Sequence, residues 1–424
     1  MDISKPQKGG WVIITLLFFF MLLNFIDKAI IGIAGVPIMK ELNLTPKEFG
    51  LVNSSFFFLF SLSAVLTGFL VNRIQSRWAL LVMAAVWALT QFPMLGTVSF
   101  GGLIAARIAL GAGEGPAYPV ALHAAYKWFP NALRTLPTAI IAQGASIGVV
   151  IAIPLLEWLI EETSWHIAFG ALGAAGLVWV AAWLIWGREG SLTQGTVTNA
   201  GVVAKPVSYF HLIFNPTSIA IFATGFGAYW GLSLLVGWFP PFLIQGLHFS
   251  PSTASKITTL PWAAGPFIVI TAGWLSQRML AAGGTTRVAR GLFGGICVAI
   301  GGIALILMRE MPNPELQIAA MVIGISVPSV VYVMGHAMMS EITPPAQRGA
   351  MLAINNAIAT SAGLIGPYVM GSVVQDAVAQ GMSAAQGYTY GFLICGIVCL
   401  GCGLFGIVFL RPEAQAAKFA AMVK

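Results

Sequence analysis

Gly68-Phe-Leu-Val-Asn72-Arg73 and Gly273-Trp-Leu-Ser-Gln277-Arg278 stand 205 residues apart and share the pattern Gly-x-Leu-x-Asn/Gln-Arg. A second pair follows in the same order: Pro130-Asn-Ala-Leu-Arg134 and Pro344-Pro-Ala-Gln-Arg348, both Pro-x-x-x-Arg. Each match is weak alone. In order and in register, the pairs mark a chain built from two halves of like design. The first pair closes long apolar runs, which ties the halves to a bilayer.

Of the 424 residues, 58% are hydrophobic and 8% are charged, against about 25% charged in an ordinary soluble domain. A water-soluble enzyme is excluded, and so are a disordered chain and a fibrous repeat, because Gly and Pro are scattered without a period. Twelve stretches are long and apolar enough to cross a bilayer as helices. These spans 1 to 12 cover 11–36, 49–71, 78–98, 101–126, 134–158, 165–187, 216–244, 254–277, 288–308, 316–339, 348–373 and 387–410. The first is no cleaved signal peptide, since its apolar run continues past Asp27 and Lys28. The expected organisation is a six-helix bundle over 1–186, a cytoplasmic linker over 187–215 and a second bundle over 216–424. The Tyr209–Phe214 end of the linker is expected at the membrane surface.

With the N-terminus inside, 15 Lys and Arg fall in cytoplasmic segments and 4 in outer loops. The positive-inside rule therefore puts both termini in the cytoplasm. The net charge of +7 suits an anionic lipid surface and not nucleic acid, for which a clustered basic face is needed. Cys297, Cys395, Cys399 and Cys402 all lie in apolar runs, so no disulfide framework is implied. The last three share a helix face without a fourth ligand, so no metal is expected. Parallel halves of this kind are an architecture of secondary transporters, whose substrate site lies between them near the midplane.

Charge inside a bilayer is costly, so ionisable groups there ordinarily mark a pathway or a proton relay. Asp27 and Lys28 occur in span 1, Arg107 and Glu114 in span 4. Arg107 and Glu114 are two helical turns apart, on one face and about 10 Å along the axis. Gly111 and Gly113 between them thin the helix for a neighbour or a ligand. Asp27 and Lys28 point about 100° apart around span 1 and address different partners. The expected pairing is Asp27 with Arg107, which leaves Lys28 as the free cation and Glu114 as the free carboxyl. A plainer reading is two salt bridges that fasten span 1 to span 4. Buried ion pairs are weak stabilisers, and an apolar contact fastens helices more simply. A carboxyl beside a switchable cation is what proton coupling requires.

Several motifs run in order along the whole chain. They are Asn24-Phe-Ile-Asp27-Lys28, Gly68-x-x-x-Asn72-Arg73, Arg107-x-x-x-Gly111-x-Gly113-Glu114-Gly-Pro116-Ala-Tyr118-Pro119 and Trp128-Phe129-Pro130. Trp165-His-x-Ala-Phe169, Trp238-Phe-Pro240, Gly273-Trp-Leu-Ser and Gly363-x-x-x-Pro367 follow. Together they resemble the anion:cation symporter family of the major facilitator superfamily. The resemblance implies an all-α fold of twelve transmembrane helices in two six-helix halves. It also implies proton-coupled import of an organic anion by alternating access, with no cofactor. By resemblance Asp27 and Glu114 take up the coupled protons and Arg107 is the switching partner of Asp27. Lys28 stands where the family usually has an arginine that meets the substrate carboxylate. Phe60, Tyr118, Gln143, Tyr229, Asn356 and Thr360 are the further substrate candidates, and Gly68, Asn72, Arg73, Arg77, Gly273 and Arg278 the gating motif. The partners implied are a small organic anion, protons and the lipid bilayer. The chain is expected to be a monomer in a bacterial inner membrane.

The departures bear on selectivity. Lys28 keeps the charge of the family's arginine but loses its bidentate fork. Phe25 and Phe60 replace tyrosines usual in sugar-acid carriers, Ala145 replaces a glutamine, and Thr360 replaces an asparagine while Asn356 is kept. Asn72 and Gln277 replace the aspartates usual in the two loop motifs. An apolar site leaves hydroxyls unpaired and costly to desolvate. The expected substrate is therefore a small carboxylate, weakly hydroxylated or aromatic; the alternatives are a hexuronate or aldonate symporter and an organic-anion exporter. Gly148 lacks the following proline typical of antiporters, which favours import. A membrane enzyme would need clustered acids or histidines at a water interface, and none occurs. A receptor that binds without translocating remains as a third class. His336 and His123 are weaker cavity candidates.

Overall fold

The computed structural model describes residues 6–70, 74–130, 133–192, 207–344 and 347–423. Among these residues the secondary structure is helical, without a strand. Among the described residues eleven helices, from Gly10–Ile33 to Ala384–Phe409, are long and apolar enough to cross a membrane. Span 4 is the twelfth and is interrupted: it runs as Phe100–Glu114 and Ala117–Tyr126. The break falls at Gly115-Pro116, where the proline offers no backbone N–H and crowds the preceding turn.

Span boundaries follow local chemistry. Side chains of Ser99, Ser164, Asn215, Ser250 and Asn313 each accept from a backbone N–H in the first turn of the helix they precede. Such caps satisfy donors that have no partner inside the helix. Ser383 and Gln386 form a reciprocal capping box at the start of span 12. Proline at the first turn of spans 7, 8 and 10 adds a residue already shaped for a helix start.

The chain divides into two compact units. The first takes Met1–Leu44 and Ser55–Gly201; the second takes Thr45–Ser54 and Val202–Lys424. In the first, span 1 packs along span 5, span 3 on span 6, and the later part of span 2 on span 4. Gly144 and Gly148 of span 5 lie against the Phe18 carbonyl and Leu22 of span 1. In the second, span 9 packs along span 12 and span 7 on spans 11 and 12. Gly302 there meets the backbone of Gly396 and Leu400. Small residues let transmembrane helices approach this closely, so the glycines of spans 5, 9 and 12 act in packing.

Thr45–Ser54, the start of span 2, groups with the second unit through backbone-level contact. Gly50 faces the Pro367 carbonyl and Gly371 faces that of Pro46. The Tyr368 N–H donates to Ser54 Oγ at 3.1 Å. In the same unit a terminal helix, Pro412–Val423, buries Phe419 in a cluster with Met338 and Ile342. Tyr209–Ile213 leaves Tyr209, Phe210 and the adjacent Phe214 exposed, the aromatic surface that a membrane interface favours.

Candidate functional site

Asn24, Asp27 and Lys28 are buried in the second half of Gly10–Ile33, and Arg107 and Glu114 are buried in Phe100–Glu114. Glycine brings the surrounding backbone in. A Cβ on Gly111 would lie 1.8 Å from the Phe56 carbonyl oxygen, and one on Gly115 would lie 2.0 Å from that of Phe60. Span 2 therefore touches span 4 at main-chain distance on either side of Glu114. Gly113 faces the indole of Trp87 on span 3. The thinning expected from the glycines of span 4 is filled by neighbouring helices.

The ion pairing differs from the sequence expectation. Lys28 Nζ lies 2.9 Å from Glu114 Oε2 and donates to Asn24 Oδ1 at 2.6 Å. Lys28 is thus not a free cation, and Glu114 is not a free carboxyl. Asp27 is met by Gln91, whose Nε2 donates to Asp27 Oδ1 at 3.0 Å. Among the described residues no salt bridge joins Asp27 to Arg107. The Arg107 guanidinium instead stacks over Phe56 at 4.7 Å, and its Nε and Nη1 have no protein acceptor. The physical reason is that Asp27 and Lys28 project about 100° apart around span 1: Lys28 meets Glu114 on span 4, while Asp27 meets Gln91 on span 3.

Three aromatic rings surround the Lys28 ammonium: Phe25 at 4.5 Å, Phe60 at 5.4 Å and Phe56 at 6.0 Å. A cation near such ring faces is attracted electrostatically, and the rings exclude water from the ion pair. One acid and one cation thus stand paired against an apolar wall of rings.

The other candidates are more dispersed. In the first unit Tyr118 is exposed and Gln143 half-buried. In the second unit Thr360 is buried and donates to the Ala357 carbonyl at 3.2 Å, while Asn356 is half-buried. Tyr229 packs edge-on to Tyr332 at 6.4 Å. His336 Nδ1 bonds the Tyr332 carbonyl at 2.5 Å, a local helical contact. Asn72 and Arg73 of the gating motif lie outside the described residues. Gly68 falls in the last turn of Phe57–Leu70. Arg77 Nη2 donates to the Leu184 carbonyl at 3.1 Å. Gly273 has open space at its Cβ position, and Arg278 stacks on Trp274 at 4.0 Å. Among the described residues no three His, Cys, Asp or Glu side chains gather as metal ligands.

Sequence reasoning missed Gln91, Asn24 and Phe56. Asn24 stands four residues before Lys28, a spacing that predicts contact on a helix. Phe56 had no such signal, and Gln91 belongs to another span.

The family model described as Major Facilitator Superfamily matches residues 17–322 and, in a second match, 291–423. The chain belongs to that superfamily. It is a multi-pass membrane transporter and not an enzyme. The D-galactonate transporter of Escherichia coli is 24% identical over 310 residues, covering 68% of this chain and 72% of that protein. The hexuronate transporter of Bacillus subtilis is 24% identical over 429 residues, covering 96% of both. A probable sulfoacetate transporter of Cupriavidus necator is 27% identical over 315 residues, 70% of this chain and 72% of that one. Among solved structures, a bacterial homologue of the human lysosomal transporter Spinster superposes with a TM-score of 0.80 at 17% identity, covering 96% of this chain and 98% of that one. The D-xylose–proton symporter gives 0.74 at 15%, covering 96% and 99%. At these identities the structural likeness speaks for the fold alone.

Proposed function

We propose that this superfamily member imports a small organic anion together with protons, by alternating access in a bacterial inner membrane with both termini cytoplasmic. The observation that carries this reading is the Lys28–Glu114 ion pair at 2.9 Å, buried in a span–span contact. A proton on Glu114 cancels its charge and leaves the Lys28 ammonium to a substrate carboxylate. Binding of the anion and of the proton are then favourable together, which is the logic of symport. Asp27 is the second proton site of the proposal, coupled to the cycle through Arg107. The gating motif, with Arg77 and Arg278 as its described cations, is assigned to the cytoplasmic ends.

The substrate class proposed is a weakly hydroxylated or aromatic carboxylate. Phe25, Phe56 and Phe60 around Lys28 support it, because a wall of rings offers no partner to sugar hydroxyls. Hexuronate or aldonate symport is the second reading, favoured by the names of the galactonate and hexuronate transporters among the relatives.

Uptake into proteoliposomes under an imposed proton gradient tests the coupling. Glu114→Gln and Asp27→Asn should lose accumulation driven by the gradient, and Glu114→Gln should retain counterflow exchange. Lys28→Ala should lose both, with Lys28→Arg restoring exchange. Accumulation at the parent's level in both acid variants sinks the reading.

A further inference from the structure

Gln91 is buried in the first unit, at 2% exposure, and the proposed transport cycle gives it no task. It closes the helix Ser76–Gln91 on span 3. Its side-chain amide touches Asp27 at 3.0 Å. It also lines a small cavity together with Thr90, Met94, Leu103, Arg107 and Phe169. Arg107 forms part of that lining and carries two guanidinium nitrogens without a protein acceptor. Gln91 therefore contacts the acid of span 1 and shares a cavity with the cation of span 4.

A primary amide is both donor and acceptor. Toward an ionised carboxylate its NH2 donates, and toward a protonated carboxyl its carbonyl oxygen accepts a hydrogen bond from the acid O–H after a rotation. No apolar side chain of its size serves either state. The charged groups acting on Asp27 are Glu114, Lys28 and Arg107, and the amide of Gln91 is the neutral group in direct contact. We propose that Gln91 is a positioning residue of proton coupling: it orients the Asp27 carboxyl in both protonation states and links it to the cavity that Arg107 lines. The proposal rests on the reading of Asp27 as a coupled proton site.

The test needs no substrate. Infrared difference spectra of the purified full chain in lipid are titrated from about pH 4 to about pH 9, the range that spans ordinary and displaced carboxyl values. The band missing from Asp27→Asn belongs to Asp27. In Gln91→Met, which keeps the volume and removes the amide, its midpoint should rise by about one pH unit, because the bond lost from the carboxylate, a charged acceptor, is stronger than the bond lost from the neutral acid. Gln91→Leu serves as the replicate if the methionine variant does not fold. An unmoved midpoint in a variant that unfolds at the parent's temperature overturns the proposal. A shift of equal size in Thr90→Val also overturns it, because Thr90 lines the same cavity but donates to the Trp87 carbonyl. A parent with no titrating Asp27 band removes the proton reading itself, and this inference with it.

Discussion

Lys28 meets Asn24 one turn back on its own helix and Glu114 on another, and only the first partner follows from spacing. The sequence marked Asp27, Lys28, Arg107 and Glu114 as charges within spans, but it paired Asp27 with Arg107, whereas Lys28 meets Glu114 and Asp27 meets Gln91. Spacing along the chain does not supply that pairing, because it depends on how spans 1, 3 and 4 pack. Glu189, just past span 6, shows how a single carboxylate orders the start of a helix. It accepts from the Ser76 N–H at 3.2 Å, Ser76 Oγ at 2.8 Å and the Arg77 N–H at 2.9 Å, and it pairs with Lys127. Burial pushes its carboxyl up, but the donors from Lys127, Arg77 and Ser76 outweigh burial and hold it below the usual glutamate value. A folded value below the unfolded one gives stability that is fully present above the unfolded value, about 4.3, and is lost as pH falls through the folded value. Glu189→Gln should therefore lower the thermal unfolding midpoint at pH 7 by roughly 2–4 °C. The gap to the parent should close below about pH 4. Scanning fluorimetry of the purified chain across that range checks it, and a pH-independent gap contradicts the assignment.

Helices meet in this protein where glycine removes a side chain, and span 4 supplies a matched pair for testing that. A Cβ at Gly111 would come within 1.8 Å of the Phe56 carbonyl oxygen, while one at Gly101 on the same helix meets nothing within 4 Å. Backbone cannot give way as a flexible side chain does. Gly111→Ala should cost at least about 3 kcal/mol through overpacking, and Gly101→Ala should gain about 0.5–1 kcal/mol from the lost freedom of the unfolded chain. Their unfolding temperatures should move in opposite directions; two shifts of one sign defeat the argument. The caps at span starts and the interruption at Gly115-Pro116 went unread, although both act within one turn, and span 4 was expected to run unbroken over 101–126. The spans themselves were legible as long apolar runs. The grouping of Thr45–Ser54 with the second unit was not, since it depends on Gly371 and Pro367, more than 300 residues away along the chain.

Across the whole molecule, the mid-span charges all lie in the first unit, while the second contributes Tyr229, Asn356 and Thr360 as polar candidates. This asymmetry was readable from composition along the chain, because a charge within an apolar run needs no tertiary information to be noticed. Selectivity was less readable, since it depends on which aromatic rings reach Lys28. Phe56 joins Phe25 and Phe60 within 6.0 Å of the ammonium, so the proposed anion anchor stands among rings. A polyhydroxylated acid brought there must give up water around each hydroxyl, at a cost of about 1–3 kcal/mol for each group left unpaired. A planar aromatic acid gives up little and gains ring contact worth about 0.5–1.5 kcal/mol. Two unpaired hydroxyls already amount to more than a tenfold difference in affinity. Benzoate-like acids should therefore compete for uptake at concentrations at least about tenfold lower than galactonate or glucuronate. Phe60→Tyr, which places a hydroxyl beside the anchor, should narrow that ratio. Potent inhibition by the sugar acids with none by benzoate would reverse the assignment and favour the substrates named for the relatives.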